Sequence, residues 1–241
     1  MDAKDRLIVA LDVADAAAAE RLVGDLDGVA KFFKIGLALQ LAPGIDLLIR
    51  ELIAGGRQVF LDYKYYDIPE TVKKAVSRAA QTGVSFLTIH GSSKLIRAAV
   101  EARGTSEMKL FTVTVLTSME AVDIAEMGYA QCSVEELVLR RAAVALEAGC
   151  DGVIASGQEA AKIKQVTRGK LLVTTPGIRP QGSSQDDQKR ITTPRQAIGE
   201  GTDYLVVGRP ITQPERLTPR AAAERIVAEM QEAFDSLAVN P

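Results

Sequence analysis

Apolar runs alternate with amphipathic segments along the whole chain. Eight short runs lack the strict alternation of a half-buried strand, which is typical of strands buried on both faces. We predict strands at 7–11, 29–35, 59–64, 84–90, 110–116, 152–155, 171–175 and 204–207. Helical spacing follows each run and predicts helices at 16–23, 45–54, 70–82, 93–102, 134–148, 158–166, 194–199 and 219–237, with a short extra helix at 121–127.

Eight strand–helix units in a chain of 241 residues are typical of a TIM (β/α)8 barrel. No linker rich in proline and serine divides the sequence, so we predict one barrel domain over 1–241. A doubly wound open sheet is the alternative. It normally has fewer strands, and the first apolar run is not followed by the G-x-G-x-x-G motif.

The stretch from Phe60 to Thr71 has the most unusual polar pattern. Period-two alternation places Phe60, Asp62 and Lys64 on one face of a strand, where two opposite charges need a reason. Pro69 suits the first turn of the helix that follows. We therefore predict Asp62 and Lys64 at the strand-to-helix edge, which is where α/β proteins bind ligands.

Other predicted strand ends also carry ionisable side chains, namely Asp12, Lys34 and His90. A ring of salt bridges that only solvates the barrel rim would give the same pattern. For the set as a whole we favour chemistry, because ion pairs removed from water are poor sources of stability. We assign His90 no role, since a histidine at a strand end is more often a packing residue. Asp67 has a structural alternative as an N-cap or first-turn acid of the next helix, and either Asp67 or Ile68 is expected near that cap.

Two glycine–arginine turns follow the seventh and eighth predicted strands, at 175–179 and 207–211. In TIM barrels the loops after these strands often hold a phosphate group. Arg179 and Arg209 provide planar, permanently charged donors suited to phosphate oxygens. The polar segment 182–190 between these turns offers Gln185 and Gln188 as neutral donors.

Composition narrows the function classes. The chain is 47% hydrophobic with a net charge of -2 and no basic run, which argues against nucleic-acid or membrane-surface binding. Its longest apolar runs are shorter than the ~18 residues of a membrane helix, and we expect no signal peptide. Cys132 and Cys150 lack metal-site spacing, so we expect reduced thiols in the cytoplasm. The single histidine, His90, rules out a His-rich metal cluster, and we predict no metal ligands.

The motifs together resemble those of the bacterial orotidine 5'-phosphate decarboxylase family, over 7–212. The resemblance rests on Asp62-x-Lys64-x-x-Asp67-Ile68-Pro69, on Asp12, on Phe33-Lys34-Ile35-Gly36, on Thr174-Thr175-Pro176-Gly177-Ile178-Arg179-Pro180 and on Val207-Gly208-Arg209-Pro210-Ile211. The family usually has other residues at Tyr63, Tyr66 and Glu70. We expect Tyr63 to face away from the barrel interior.

The resemblance implies decarboxylation of orotidine 5'-phosphate to uridine 5'-phosphate and CO₂, the last step of de novo pyrimidine synthesis, without a cofactor. Lys64 would be the proton donor to C6 of the pyrimidine. Asp62, Asp67 and Lys34 would complete a charged tetrad, with Asp67 contributed by the partner subunit of a homodimer.

The resemblance also implies substrate contacts along the length of the nucleotide. Asp12 and Lys34 would hold the ribose hydroxyls, with Ile68 and Thr71 nearby across the dimer interface, and Thr117 or Ser118 would contact the pyrimidine. The phosphate would be held by Arg179, Gln188, Gly208 and Arg209, near Pro176, with Gln181 as a rival to Gln188.

Two alternatives remain open from the sequence. Related barrels that share the D-x-K-x-x-D motif use Mg²⁺, either to decarboxylate a keto-sugar phosphate or to act as a hexulose-phosphate synthase. A non-catalytic nucleotide-binding barrel is the alternative from another class. Loss of activity with a chelator would favour the first, and binding without turnover would favour the second.

Overall fold

Eight parallel strands pair in chain order and close into a barrel in the computed structural model, which describes residues 2–129, 131–181 and 189–239. The strands are β1 (Leu7–Ala10), β2 (Phe32–Gly36), β3 (Gln58–Tyr65), β4 (Phe86–Ile89), β5 (Lys109–Val113), β6 (Gly152–Ile154), β7 (Leu172–Thr175) and β8 (Tyr204–Val207). The last strand pairs with the first, Leu205 opposite Leu7, so the sheet closes on itself. The predicted TIM barrel is confirmed and the open sheet is excluded.

Helices surround this barrel, and each predicted helix is found within a few residues of its predicted bounds. They are α1 (Ala16–Asp25), α2 (Ile45–Ala54), α3 (Pro69–Gln81), α4 (Ser93–Arg103), α5 (Ala121–Ile124), α6 (Val134–Glu147), α7 (Ala160–Thr167), α8 (Pro194–Gly199), α9 (Arg209–Thr212) and α10 (Pro219–Val239). The four residues of α9 were not predicted as a helix, because so short a segment shows no periodicity.

Side-chain caps explain where several helices begin. The Asp15 carboxylate accepts a hydrogen bond from the backbone N–H of Ala18 at 2.7 Å, at the start of α1. Capping boxes formed by Ser133 with Glu136, and by Thr193 with Gln196, start α6 and α8. These caps are formed by residues close in sequence, so the starts of these helices are specified locally as well as by packing on the barrel.

The strand after residue 109 is shorter than predicted. It ends at Val113 instead of 116, although the backbone N–H and the hydroxyl of Thr114 still donate to the carbonyl of Ile154 in β6. The residues that follow become part of a cavity at the C-terminal end of the barrel.

Aromatic side chains fill the N-terminal half of the barrel interior. The ring of Phe86 lies 4.8 Å from that of Phe32, 4.5 Å from that of Phe111 and 5.0 Å from that of Tyr204, between centroids. Phe60 joins the same cluster, 5.8 Å from Phe86. Because strand side chains alternate, the next inward-pointing position on each strand lies directly above this aromatic floor.

A larger apolar core lies between the barrel and the helices. It takes the other set of strand side chains, such as Val9, Leu61 and Leu87, together with the inner faces of the helices. Every residue of β1 and β2 is buried. The strands therefore read as continuous apolar runs because both of their faces are covered.

Ion pairs join strands at the N-terminal edge of the barrel. Asp151 pairs with Arg103 and accepts a hydrogen bond from the backbone N–H of Leu110 at 2.8 Å. Asp203 pairs with Lys164 at 2.6 Å and accepts from the N–H of Val173 at 2.6 Å. At this edge the charged groups satisfy backbone donors and hold neighbouring elements together.

No helix within the described ranges is long and apolar enough to span a bilayer.

Gly152→Ala should lower stability because the barrel interior has no room for a methyl group there. An ideal Cβ at this position would lie 2.4 Å from the Phe111 ring and 2.6 Å from the Leu172 carbonyl oxygen. We expect a loss of about 1–3 kcal/mol in the free energy of unfolding, measured by urea denaturation.

Gly24→Ala in α1 is the control, since its methyl would meet no described atom within 4 Å. It should be neutral or stabilising by about 0.5–1 kcal/mol, because alanine favours helix more than glycine does. Equal unfolding curves for the two variants would contradict the packing argument.

Candidate active site

A cavity of about 340 Å³ opens at the C-terminal ends of the strands. Its lining includes a large part of the residues predicted from the sequence: Asp12, Lys34, Asp62, Lys64, Thr117, Ser118 and Pro176. Apolar side chains, among them Leu37, Val113 and Ile154, surround these polar groups. The fold thus brings charged groups from the first three strands beside the loops that follow β5 and β7.

Four charged side chains of alternating sign form a row across this cavity. The Asp62 carboxylate is central: Oδ1 lies 2.9 Å from Nζ of Lys64 and Oδ2 lies 3.5 Å from Nζ of Lys34. The Lys34 ammonium also lies 3.2 Å from Oδ1 of Asp12. The structure therefore brings side chains that were predicted only to lie at strand ends into direct ionic contact.

The strand that carries Asp62 and Lys64 does not keep the simple alternation expected of it. Between Leu61, opposite Leu87, and Tyr65, opposite Ile89, β3 has more residues than β4. Lys64 adopts a left-handed backbone with φ of 50°, which is uncommon for a residue other than glycine. This bulge turns the Lys64 amine onto the Asp62 carboxylate.

Thr88 supports this geometry and was missed by the sequence analysis. Its buried hydroxyl donates to Oδ1 of Asp62 at 2.9 Å and accepts from the backbone N–H of Lys64, also at 2.9 Å. One side chain thereby stabilises both the carboxylate and the unusual backbone. The signal in the sequence was a threonine in the otherwise apolar β4, two residues after Phe86.

The environment of Asp62 favours its charged form. Burial alone would raise the pKa of this carboxyl, but Lys34, Lys64 and the Thr88 hydroxyl outweigh burial and hold the pKa below its usual value. Lys34 is itself only 7% exposed. The Asp62 carboxyl is therefore ionised near neutral pH and lies between two ammonium groups.

Gly36 leaves the space that the Lys34 ammonium occupies. A Cβ at this position would lie 2.8 Å from Nζ of Lys34 and 3.1 Å from Oδ1 of Asp12. Any larger residue would therefore push these two charged groups apart. The glycine in the Phe33-Lys34-Ile35-Gly36 motif has a packing reason of its own.

Asp67, Ile68 and Thr71 lie outside the cavity and are exposed. The Asp67 carboxylate accepts a hydrogen bond from the backbone N–H of Ile68 at 2.6 Å. Of the two candidates near the cap of α3, Ile68 is the N-cap residue, and the alternative of Asp67 as N-cap or first-turn acid is wrong. Within one chain these three residues are not brought to Lys64.

Arg179 and Arg209 lie together in a second cavity, of about 590 Å³, and not in the cavity that contains Lys64. Gly177, with φ of 75°, makes the turn that leads from β7 to Arg179. Gly208 directly precedes α9, which begins at Arg209. Exposed Gln181 also lines this second cavity, whereas Gln185 and Gln188 lie outside the described residues.

Two aromatic neighbours of the site are placed as packing residues. Tyr63 packs against the outer core, as expected, and burial raises its pKa to about 12. His90 follows β4 with its ring 5.6 Å from that of Tyr66. Burial, followed by the charges of Arg141 and Lys64, lowers the pKa of His90.

The thiols and acids of the described residues do not form a metal-binding cluster. Across 2–129, 131–181 and 189–239, no group of three or more His, Cys, Asp or Glu side chains is arranged to hold an ion. Cys132 and Cys150 are both free thiols, and burial raises the pKa of Cys150 to about 12. A buried thiol that stays protonated at neutral pH is a packing group rather than a nucleophile.

Comparison with known proteins gives a consistent result. Residues 5–226 match the model of the orotidine 5'-phosphate decarboxylase / HUMPS family. The chain is 53% identical over 232 residues to an orotidine 5'-phosphate decarboxylase of Nitrobacter winogradskyi, covering 96% of this chain and 95% of that protein. It is 48% identical to one of Methylorubrum extorquens, covering 96% and 98%.

A solved structure agrees with this result. The crystal structure of orotidine 5'-phosphate decarboxylase from Lactobacillus acidophilus superposes with a TM-score of 0.80 at 35% identity, covering 93% of this chain and 98% of that one. Family match, sequence identity and barrel geometry lead to one conclusion: the chain belongs to the orotidine 5'-phosphate decarboxylase / HUMPS family.

Proposed function

We propose that this protein decarboxylates orotidine 5'-phosphate to uridine 5'-phosphate and CO₂, the last step of de novo synthesis of that nucleotide. One observation carries the proposal: the Asp62 carboxylate lies between the ammonium groups of Lys34 and Lys64 in a cavity at the catalytic end of the barrel. The relatives named above, at 48–53% identity over nearly their full length, support the same activity.

Lys64 is the group that meets the reacting carbon. The bond from C6 to the carboxylate breaks, its electron pair stays on C6, and Nζ of Lys64 then donates a proton to that carbon. A carbanion at C6 has no electron sink in the pyrimidine, so electrostatics and positioning carry the rate. The Lys64 ammonium suits this role because it lines the cavity with 29% of its side chain exposed.

Asp62 lies near the departing carboxylate in this scheme, and its repulsion assists the reaction only in part. Two like charges at ~4 Å interact by about 4 kcal/mol at an effective dielectric constant of ~20. Enzymes lower barriers by about 8–23 kcal/mol. Stabilisation of the carbanion by Lys64 is therefore the larger effect, and Asp62 also keeps that ammonium in place.

The remaining contacts extend along the nucleotide. Asp12 and Lys34 hold the ribose hydroxyls, and Thr117 or Ser118 contacts the pyrimidine. The phosphate lies between the guanidinium groups of Arg179 and Arg209, in the arginine-lined second cavity. Binding energy from this remote phosphate is available to orient the pyrimidine against Lys64.

A homodimer completes the site in this proposal. Asp67, Ile68 and Thr71 are exposed and lie away from the cavity of their own chain, so they are available to the partner's cavity. Exposed apolar side chains on the same end of the barrel, including Leu37 and Tyr66, supply surface for such a contact. Asp67 would then be the fourth charge beside Lys64.

A Mg²⁺-dependent reaction is the alternative within the same family. In that mechanism carboxylates of the site hold the metal ion. Here the Lys34 ammonium lies between Asp12 and Asp62, 3.2 Å and 3.5 Å from their oxygens, and occupies the place of a cation between them. This arrangement favours the reaction without metal.

Turnover of orotidine 5'-phosphate, followed spectrophotometrically, tests the proposed function. We expect activity that is unchanged by EDTA, and a fall of at least about 10²–10⁴-fold in Lys64→Ala, because the proton donor is lost. Lys162→Ala, at an exposed ion pair with Glu135, should keep full activity. Substrate binding without turnover in the wild type, or loss of activity with EDTA, would contradict the proposal.

Asp62→Asn should lower stability at pH 7 by about 1–3 kcal/mol, because Lys34 and Lys64 lose the anion between them. The folded pKa of Asp62 is lowered, so its contribution is full above the unfolded value of about 3.9 and disappears as pH falls through the folded value. Urea unfolding at pH 7, 5, 4 and 3 should show the two proteins converging in acid.

Asp25→Asn, at the exposed end of α1, is the control for the pH experiment and should follow the wild type at every pH. A difference between wild type and Asp62→Asn that persists unchanged at pH 3 would show that the Asp62 charge is not its source.

Mixing inactive Asp67→Ala and Lys64→Ala subunits tests the shared site. In a mixed dimer one cavity has an intact Lys64 from one chain and an intact Asp67 from the other. Random pairing of equal amounts should restore about a quarter of the wild-type sites. Heterodimers confirmed by mass spectrometry but without recovered activity would rule out a site shared between chains.

A further inference from the structure

The 114–118 segment, which follows β5, forms one wall of the Lys64 cavity. Val115, Leu116, Thr117 and Ser118 all line that cavity. The segment has left the sheet, so strand pairing no longer fixes its position beyond the bonds of Thr114 to β6. Its backbone must be held by other groups if the wall is to keep a constant distance from Lys64.

Arg190, in the loop after β7, supplies those groups. Its Nη2 donates to the carbonyls of Val115 and Leu116, each at 3.0 Å. The Thr117 carbonyl accepts from the backbone N–H groups of Lys189 and Arg190, at 3.3 Å and 3.2 Å. Three consecutive wall carbonyls are therefore bonded to one short stretch of chain after β7.

A buried carboxylate orients the Arg190 guanidinium. Nη1 of Arg190 lies 2.5 Å from Oε1 of Glu159, and the two side chains are 11% and 7% exposed. Ser156, also in the loop after β6, donates from its hydroxyl to the Arg190 carbonyl at 3.2 Å. Arg190 thus connects the loops after three successive strands, β5, β6 and β7.

Stability alone is a poor explanation for this pair. Burial raises the pKa of Glu159, and the Arg190 charge offsets that effect only in part. Counting the partners present in the described residues, Oε2 of Glu159 and Nε of Arg190 have none. For a buried ion pair with unsatisfied atoms, the desolvation penalty exceeds the Coulombic attraction. We therefore attribute the pair's role to the geometry that it imposes.

We propose that Arg190 is a positioning residue: held by Glu159, its guanidinium fixes the 114–118 segment as the wall against which the pyrimidine lies. This inference rests on the proposed function for the identity of the ligand. It assigns a role to a side chain that touches neither the substrate nor the row of charged residues Asp12, Lys34, Asp62 and Lys64.

The role requires the fork shape of arginine and not only its charge. One guanidinium reaches two carbonyls and a carboxylate at once, whereas a lysine amine is a single point of donation. Lys34 and Thr88 contact the Asp62 carboxylate, and Thr88 also accepts from the backbone N–H of Lys64. The contacts of Arg190 described above involve none of these residues. Loss of the fork should therefore loosen the wall and leave the reacting groups in place.

Arg190→Lys, with Arg103→Lys as a matched control, tests the proposal. Arg103 also joins a partly buried carboxylate, that of Asp151, and a backbone carbonyl, that of Met108, but at the opposite edge of the barrel. In Arg190→Lys we expect KM for orotidine 5'-phosphate to rise about tenfold while kcat changes less than about threefold. Arg103→Lys should change neither constant.

Hydrogen exchange of the free protein provides a readout that needs no activity. Peptides covering 113–119 should exchange faster in Arg190→Lys than in the wild type, and at the wild-type rate in Arg103→Lys. Glu159→Gln, which keeps an acceptor oxygen for the guanidinium, should stay close to the wild type, whereas Glu159→Ala should resemble Arg190→Lys.

Unchanged exchange over 113–119 in Arg190→Lys, or an equal effect in Arg103→Lys, overturns the positioning role. A wild-type protein that fails to turn over orotidine 5'-phosphate overturns the proposed function instead. The exchange experiment still decides the role of Arg190 in that case, because it is made without substrate.

Discussion

The site depends on one carboxylate, that of Asp62, enclosed by two ammonium groups above an apolar floor. Removing an anion from water is costly, and the cost is met here by Lys34, Lys64 and the Thr88 hydroxyl acting together. Lys34 is buried in turn, and its ammonium lies between the carboxylates of Asp12 and Asp62. These contacts hold the ammonium groups of Lys34 and Lys64 at the cavity, where an anionic ligand can reach them.

Strand geometry explains how the chain assembles that set. Phe32, Phe60 and Phe86 point into the barrel, and two residues further along the same strands come Lys34, Asp62 and Thr88. The period-two repeat that builds the aromatic floor thus also builds the polar layer above it. A pattern of apolar and polar residues on three neighbouring strands is enough to specify both layers.

Much of the fold and part of the site could be predicted from the sequence. The barrel follows from eight apolar runs, and the placement of Asp62 and Lys64 at one strand end follows from their spacing on one strand. The bulge at Lys64 could not be predicted, because it depends on the pairing of β3 with β4. Arg190 and Glu159 were missed for a similar reason, since their contacts join loops that are distant in sequence.

The two ends of the barrel use the same kinds of side chain for different purposes. At the N-terminal edge, Asp151 and Asp203 accept from backbone N–H groups and join adjacent elements. At the C-terminal edge, Asp12 and Asp62 bond to lysine side chains that line a cavity. Acidic and basic side chains at a strand end therefore indicate chemistry only when it is known whether they lie at the N-terminal or the C-terminal edge of the barrel.

The aromatic floor limits where molecules can enter and leave the barrel. Phe32, Phe86, Phe111 and Tyr204 pack ring against ring across the interior, so no passage leads from the Lys64 cavity through these rings to the opposite end. Nucleotide, gas and solvent would all have to pass the same mouth. A gaseous product formed at Lys64 would therefore share one opening with the much larger nucleotide.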